Sequence, residues 1–135
     1  MAGYTLVELL VVLAIIGMLA AMALPMLSAS GPGLATKAAA RRFAQDLAAS
    51  RQDAIDRGVE VRVALQPAGR RYILPNGTRR ALPDGVAFSF RGPAPDEIDF
   101  YPDGSTSGGT VLVSDARARQ RVTVRWPGGQ IAVDE

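Results

Sequence analysis

At 135 residues and a formal net charge of +2, the chain amounts to one modest domain plus an appendage, and so slight a charge does not by itself imply a polyanionic partner. Neither cysteine nor histidine is present. Their absence excludes a disulfide framework and thiolate chemistry, and it removes the commonest general base and the usual zinc ligands.

Hydrophobic residues make up 48% of the chain but are unevenly placed. Residues 9 to 27, LLVVLAIIGMLAAMALPML, carry no charge. As a helix rising ~1.5 Å per residue this run covers roughly 29 Å, close to the ~30 Å hydrocarbon core of a bilayer. Three roles compete for it: a cleaved secretory signal, a buried core helix and a retained anchor. Ser28-Ala29-Ser30 supplies a small-residue cleavage site, but Met1-Ala2-Gly3 brings no lysine or arginine before the apolar run. A core helix shows an amphipathic stripe, whereas this one is apolar on every face. The anchor fits best.

Glu8 stands at the edge of that run, within Gly3-Tyr4-Thr5-Leu6-Val7-Glu8. An ionisable group entering an apolar helix is costly and marks a function with a partner to be named. If the chain is cut after Gly3, the new α-ammonium sits on Tyr4, about one helical turn from Glu8. The carboxylate can then neutralise that charge, or the same charge on a neighbouring subunit.

The stretch GYTLVELLVVLAIIGMLAAMALP resembles the class III signal sequence of type IV pilins and type II secretion pseudopilins. The resemblance implies cleavage between Gly3 and Tyr4 by prepilin peptidase, N-methylation of Tyr4, and a role for Glu8 in guiding entry into a growing helical filament. It also places Gly17 and Pro25 where the family's helix loosens; glycine weakens a helix and proline removes an intrahelical bond. Tyr4 departs from the family's usual phenylalanine but keeps the aromatic ring. Residues 1–3 are thus expected to be a leader, 4–30 a transmembrane and assembly helix, and 31–135 a helix plus β-rich domain.

Ser28 to Gly33 reads as a break before a second helix over residues 34 to 57. Its expected inner face carries Ala40, Phe43, Leu47, Ala54 and Ile55. Arg42 with Asp46, and Asp53 with Arg57, are i,i+4 pairs for the wet face. Gly58 is placed to end the helix in a left-handed cap. From Val59 the apolar period falls to two, the mark of strands. Val59, Val61, Val63 and Leu65 alternate with polar or small neighbours, and Pro67-Ala68-Gly69 turns the chain into Arg71 to Leu74. Turns at Pro75-Asn76-Gly77 and Pro83-Asp84-Gly85 precede Val86/Phe88/Phe90, Ile98/Phe100 and Thr110 to Val113. The last pair is Val122/Val124/Trp126 and Ile131/Val133, joined at Pro127-Gly128-Gly129. The expected fold class is α+β: a long N-terminal helix, half anchor and half amphipathic, then antiparallel strands in two packed sheets.

Ala49 to Gly58 (ASRQDAIDRG) and Ile98 to Gly109 (IDFYPDGSTSGG) resemble the H-type pseudopilins of type II secretion, and FimT-type minor pilins share the pattern. The DGSTSGG stretch, Asp103 to Gly109, has the close-spaced oxygens of a calcium loop, but with one carboxylate and no closing glutamate it reads better as a glycine-rich turn. Ser105 has no histidine to activate it as a nucleophile. GxGxxG and Walker A patterns are missing, so no cofactor is expected and the chain is not read as an enzyme. Arg117, Arg119, Arg121 and Arg125 recur at strand spacing. They form either a solvated outer face or a basic stripe that grips phosphates, and the former is favoured because no aromatic residues alternate with them.

Taken together, the residues and the resemblance imply a minor pseudopilin, single-pass in the bacterial inner membrane with its C-terminal domain in the periplasm. Its partners would be the lipid bilayer, other pseudopilins (major and minor), prepilin peptidase and the inner-membrane assembly platform. The alternative is a FimT-like minor pilin that binds DNA through the four arginines.

Overall fold

In the computed structural model the backbone is described for residues 3–28 and 33–135, and the side chains for residues 3–22 and 33–135. The chain divides into two compact units, Met1–Gly31 and Pro32–Glu135. In the first, α1 runs from Leu6 to Ser28, and its backbone is helical at both Gly17 and Pro25. Among the described residues no helix is long and apolar enough to cross a membrane. The described side chains of α1 stop at Met22, and about 17 residues at ~1.5 Å each reach only ~26 Å. The expected span over 9–27 and the break over 28–33 both extend into residues outside the described ones.

The second unit opens with α2, Leu34–Arg57, and continues through eight strands: β1 Val61–Gln66, β2 Arg71–Ile73, β3 Arg79–Ala81, β4 Ala87–Arg91, β5 Glu97–Phe100, β6 Gly109–Ser114, β7 Arg119–Arg125 and β8 Gln130–Asp134. They form two antiparallel four-stranded sheets, one in the order β3-β2-β1-β5 and the other β4-β6-β7-β8. The chain therefore leaves the first sheet for β4, returns to place β5 beside β1, and finishes in the second. This is the α+β architecture expected from the sequence.

Period-two alternation decides what each strand buries. In the first sheet Val61 faces Phe100, Val63 faces Ile98 and Leu65 faces Tyr72 across the ladders. In the second, Phe88 faces Val113, Val111 faces Val122, and Val124 faces Ile131. These side chains join Ala40, Phe43, Leu47 and Ala54 of α2 in one hydrophobic core. Fully burying a side chain such as Leu47 or Ile98 contributes ~1.5–3 kcal/mol. Phe43 and Tyr72 meet edge to face with ring centroids 4.8 Å apart, the arrangement that aromatic quadrupoles favour.

Helix α2 ends as expected: Gly58 adopts φ 65°, ψ 29° and donates its N–H to the Ala54 carbonyl at 3.0 Å. The Arg57–Asp53 pair forms at 3.0 Å. Two other expectations for this helix fail. Ile55 is 37% exposed, because the buried stripe continues through Ser50 and Ala54 and leaves the next residue about 100° off it. Arg42 does not pair with Asp46. Asp46 lies three residues after Phe43, on the flank of the stripe, where it accepts the Tyr72 hydroxyl at 2.6 Å and approaches Arg80 Nε at 3.5 Å.

The strand ends also differ from expectation. Val59 is 42% exposed and precedes β1, since the Gly58 cap and its turn occupy the start of the run. Trp126, expected to share the buried face of Val122 and Val124, is 75% exposed. Strand β7 stops at Arg125, and the tryptophan belongs to the turn.

The start of α2 is fixed to the β6–β7 turn through Asp115. Its carboxylate accepts Thr36 Oγ1 at 2.5 Å and the N–H groups of Arg117 and Ala118 at 2.6 and 2.7 Å. Those bonds, the Thr36 hydroxyl first, hold the Asp115 carboxyl below the usual carboxylate range. Because the folded value is depressed, this tie is present above that range and is lost as pH falls through the lowered value.

Candidate functional site

The N-terminal motif is built at the first turn of α1. Thr5 immediately precedes the helix, and its Oγ1 accepts the Glu8 N–H at 3.2 Å while its carbonyl accepts Leu9 N–H at 3.2 Å. Thr5 is therefore the N-cap, and Thr5-Leu6-Val7-Glu8 has the spacing of a capping box, in which a glutamate three residues after the cap completes the helix start. The threonine–glutamate spacing alone signals this role. Glu8 also lies in the first turn, where the helix dipole favours negative charge. Its carboxylate is exposed and takes no ion pair among the described residues.

Gly3 and Tyr4 precede the cap outside the helix, and Tyr4 is 82% exposed. Every described side chain of α1 is exposed, from Leu6 through Met22. From Leu9 through Met22 the described side chains are apolar on all faces, a surface suited to lipid or to other helices. The motif thus places a carboxylate at the entry to a surface that water does not suit.

In the second unit, the DGSTSGG stretch folds on itself as a turn. Asp103 Oδ1 accepts both the N–H and the hydroxyl of Ser105, at 3.0 and 2.5 Å, and these bonds lower the Asp103 carboxyl pKa. Thr106 Oγ1 donates to the Asp99 carbonyl at 2.8 Å, and Ser107 Oγ accepts the Asp99 N–H at 2.9 Å. The stretch is stapled to α2 by Arg51, whose Nε donates to the Gly104 carbonyl at 2.8 Å and whose Nη2 reaches the Gly128 carbonyl at 3.3 Å. One helix side chain thus ties the 101–109 loop to the β7–β8 turn. Arg51 lies within ASRQDAIDRG, but nothing in its sequence neighbourhood names two carbonyls far along the chain as its partners.

The arginines are partly brought together. Arg119, Arg121 and Arg125 lie on the exposed face of β7, whereas Arg117 sits in the preceding turn, which bends back with Asp115 N–H on the Ala118 carbonyl at 3.0 Å. Sequence spacing missed Arg91 of β4, which lines a shallow depression of the same sheet with Ser89, Thr110, Leu112 and Arg121. Asp134 stands opposite Arg121 in the β7–β8 ladder.

A family model described as type II transport protein GspH matches residues 39–128, and one for the prokaryotic N-terminal methylation motif matches residues 1–24. The type II secretion system protein H of Xanthomonas campestris pv. campestris is 29% identical over 136 residues, covering 96% of this chain and 80% of that protein. Two solved structures share the fold. The minor pseudopilin EpsH from the type 2 secretion system of Vibrio cholerae matches with a TM-score of 0.62 and 20% identity, over 73% of this chain and 94% of that one. The type IV minor pilin FimU of Pseudomonas aeruginosa matches with a TM-score of 0.59 and 12% identity, over 73% and 87%. With its model matched over most of the chain, the type II transport protein GspH family is the one to which this protein belongs.

Proposed function

We propose that the protein is a minor pseudopilin of a type II secretion pseudopilus, a structural subunit and not an enzyme. The observation that carries this is the combination of GspH family membership with a capped helix that presents Glu8 in its first turn and carries no other charge. Prepilin peptidase cuts between Gly3 and Tyr4, Tyr4 is N-methylated, and the helix over 4–30 anchors the subunit in the inner membrane. The domain over 31–135 lies in the periplasm. Glu8 pairs with the Tyr4 ammonium of a neighbour as the subunit joins the filament. Gly17 and Pro25 loosen the helix once it leaves the bilayer. Extrusion by the assembly platform then carries the domain, at or near the tip, toward folded exoproteins awaiting an outer-membrane secretin.

Mass spectrometry of the protein purified from membranes tests the processing step. The expected N-terminus is N-methyl-Tyr4, and Gly3→Ala should be tolerated less well than most other leader changes. A mature start after Ser30 would return the segment to a secretory signal.

A DNA-binding minor pilin is the second reading, favoured by Arg119, Arg121 and Arg125 on one exposed face. It is the weaker one. Tyrosine, tryptophan and phenylalanine are absent from the outward positions of β7, and Asp134 offsets the charge of Arg121.

A further inference from the structure

The Gly3–Tyr4 peptide lies just outside α1, and the residue that marks this boundary is Thr5. Its Oγ1 accepts the Glu8 N–H at 3.2 Å, and its carbonyl accepts the Leu9 N–H at 3.2 Å as the first bond of the helix. The Gly3 carbonyl stands two residues upstream of that first acceptor and accepts no hydrogen bond among the described residues. Thr5 holds this start alone. Among the described residues the Glu8 carboxylate accepts no hydrogen bond, so only the threonine half of the capping box is formed. Immediately upstream stand Ala2, Gly3 and Tyr4, and of these only glycine ranks near threonine as an N-cap. A helix that loses the Thr5 cap therefore has Gly3 as its next start. The Gly3 carbonyl would then accept the first intrahelical bond, from the Val7 N–H.

We propose that Thr5 is a positioning residue for processing: its cap keeps the Gly3–Tyr4 bond out of the helix, with the Gly3 carbonyl open to attack by water in the peptidase. The proposal rests on the processing step proposed above. In that step water adds to the Gly3 carbonyl carbon, the C–N bond to Tyr4 breaks, and the departing nitrogen takes a proton. Gly3 leaves as a carboxylate, and Tyr4 keeps the new α-ammonium. A carbonyl already bonded to the Val7 N–H would have to give up that bond, and the turn around it would have to unwind, before a protease could seat the peptide. Proteolysis favours exposed backbone that is tied into no such structure. Gly3 and Tyr4 are both exposed, and a Cβ built on Gly3 meets nothing within 4 Å. Among the described residues, nothing but the position of the helix start decides whether the bond is accessible.

The test follows cleavage of the full chain in detergent micelles by purified prepilin peptidase, with the loss of residues 1–3 read by mass spectrometry. Two variants separate the cap from the shape of the side chain. Thr5→Val keeps the β-branched shape and loses the cap, and it should slow cleavage about fivefold, the shift that loss of one helix cap brings. Thr5→Asn changes the shape and keeps the cap, since asparagine ranks at or above threonine in that position, and it should be cut within about twofold of the parent rate. Cleavage of Thr5→Val at the parent rate would overturn the proposal. So would a Thr5→Asn chain cut as slowly as Thr5→Val, because the peptidase would then be reading the threonine itself. The parent separates this proposal from the reading beneath it. A parent that stays uncut between Gly3 and Tyr4 sinks the processing step, and the positioning role with it. A parent cut there at the same rate as both variants sinks the role of Thr5 alone.

Discussion

Glu8→Ala should leave the chain inserted in the membrane and cut its crosslinking to other pseudopilins by more than tenfold. Insertion is spared because the variant removes a charge from the edge of an apolar helix, where charges are costly. On the proposed processing, assembly suffers because the Tyr4 ammonium of a neighbour would enter a low-dielectric helix bundle without its partner, and an unpaired buried charge costs about 3–5 kcal/mol. Glu8→Gln separates this from a helix-start effect. A capping box accepts glutamate or glutamine at this position, whereas charge neutralisation accepts only the carboxylate. Glu8→Gln should therefore keep the helix start and fail in assembly as Glu8→Ala does. The chain contains no cysteine, so a single Leu13→Cys provides a clean crosslinking site in each background. Parent-like crosslinking by Glu8→Gln would assign Glu8 to capping and not to assembly.

Gly129→Ala should be among the most damaging single changes in the domain, while Gly128→Ala next to it should be nearly neutral. A Cβ on Gly129 would stand 2.5 Å from Arg51 Nε and 2.5 Å from the Gly104 carbonyl oxygen, at a φ of +70°. The guanidinium end can swing away, but the backbone oxygen cannot move without the 101–109 loop. Left-handed strain and overpacking together cost about 2–4 kcal/mol. For a domain of about 100 residues that lowers Tm by on the order of 10–20 °C. A Cβ on Gly128 meets nothing within 4 Å. Trp126, in the same turn, is already 75% exposed, so far-UV circular dichroism is used to follow the unfolding of both variants. Equal Tm values would mean that the Arg51 staple does not hold the turn against the loop.

Periodicity made much of this fold legible. Val61, Val63 and Leu65, then Val122 and Val124, alternate with polar residues because one face of each sheet is buried, and that alternation is local information. Gly58 could be placed because a helix end and a left-handed cap occur together in sequence. What stayed hidden depends on partners distant in the chain. Strand β3 is a polar edge strand, Arg79–Ala81, and carries no apolar alternation to reveal it. Asp46 looked like a surface acid pairing with Arg42, until the fold brought Tyr72 and Arg80 to it. Trp126 followed the parity of β7, yet the strand ended one residue earlier. Of the candidate site, Gly3, Tyr4 and Glu8 could be proposed because they stand within one short stretch, Gly3 to Glu8, and the Thr5 cap was available from its spacing. Arg51 was not, since its acceptors lie on two separate loops.

Deletion of this gene in its own host tests the central claim most directly, with secreted proteins and DNA uptake measured in the same strain. A pseudopilus subunit predicts that exoproteins accumulate in the periplasm, that secretion returns with the parent gene but not with Glu8→Ala, and that transformation by DNA is unchanged. Normal secretion with transformation lost, and restored only by a copy that retains Arg119, Arg121 and Arg125, would contradict the claim and make the protein an uptake pilin.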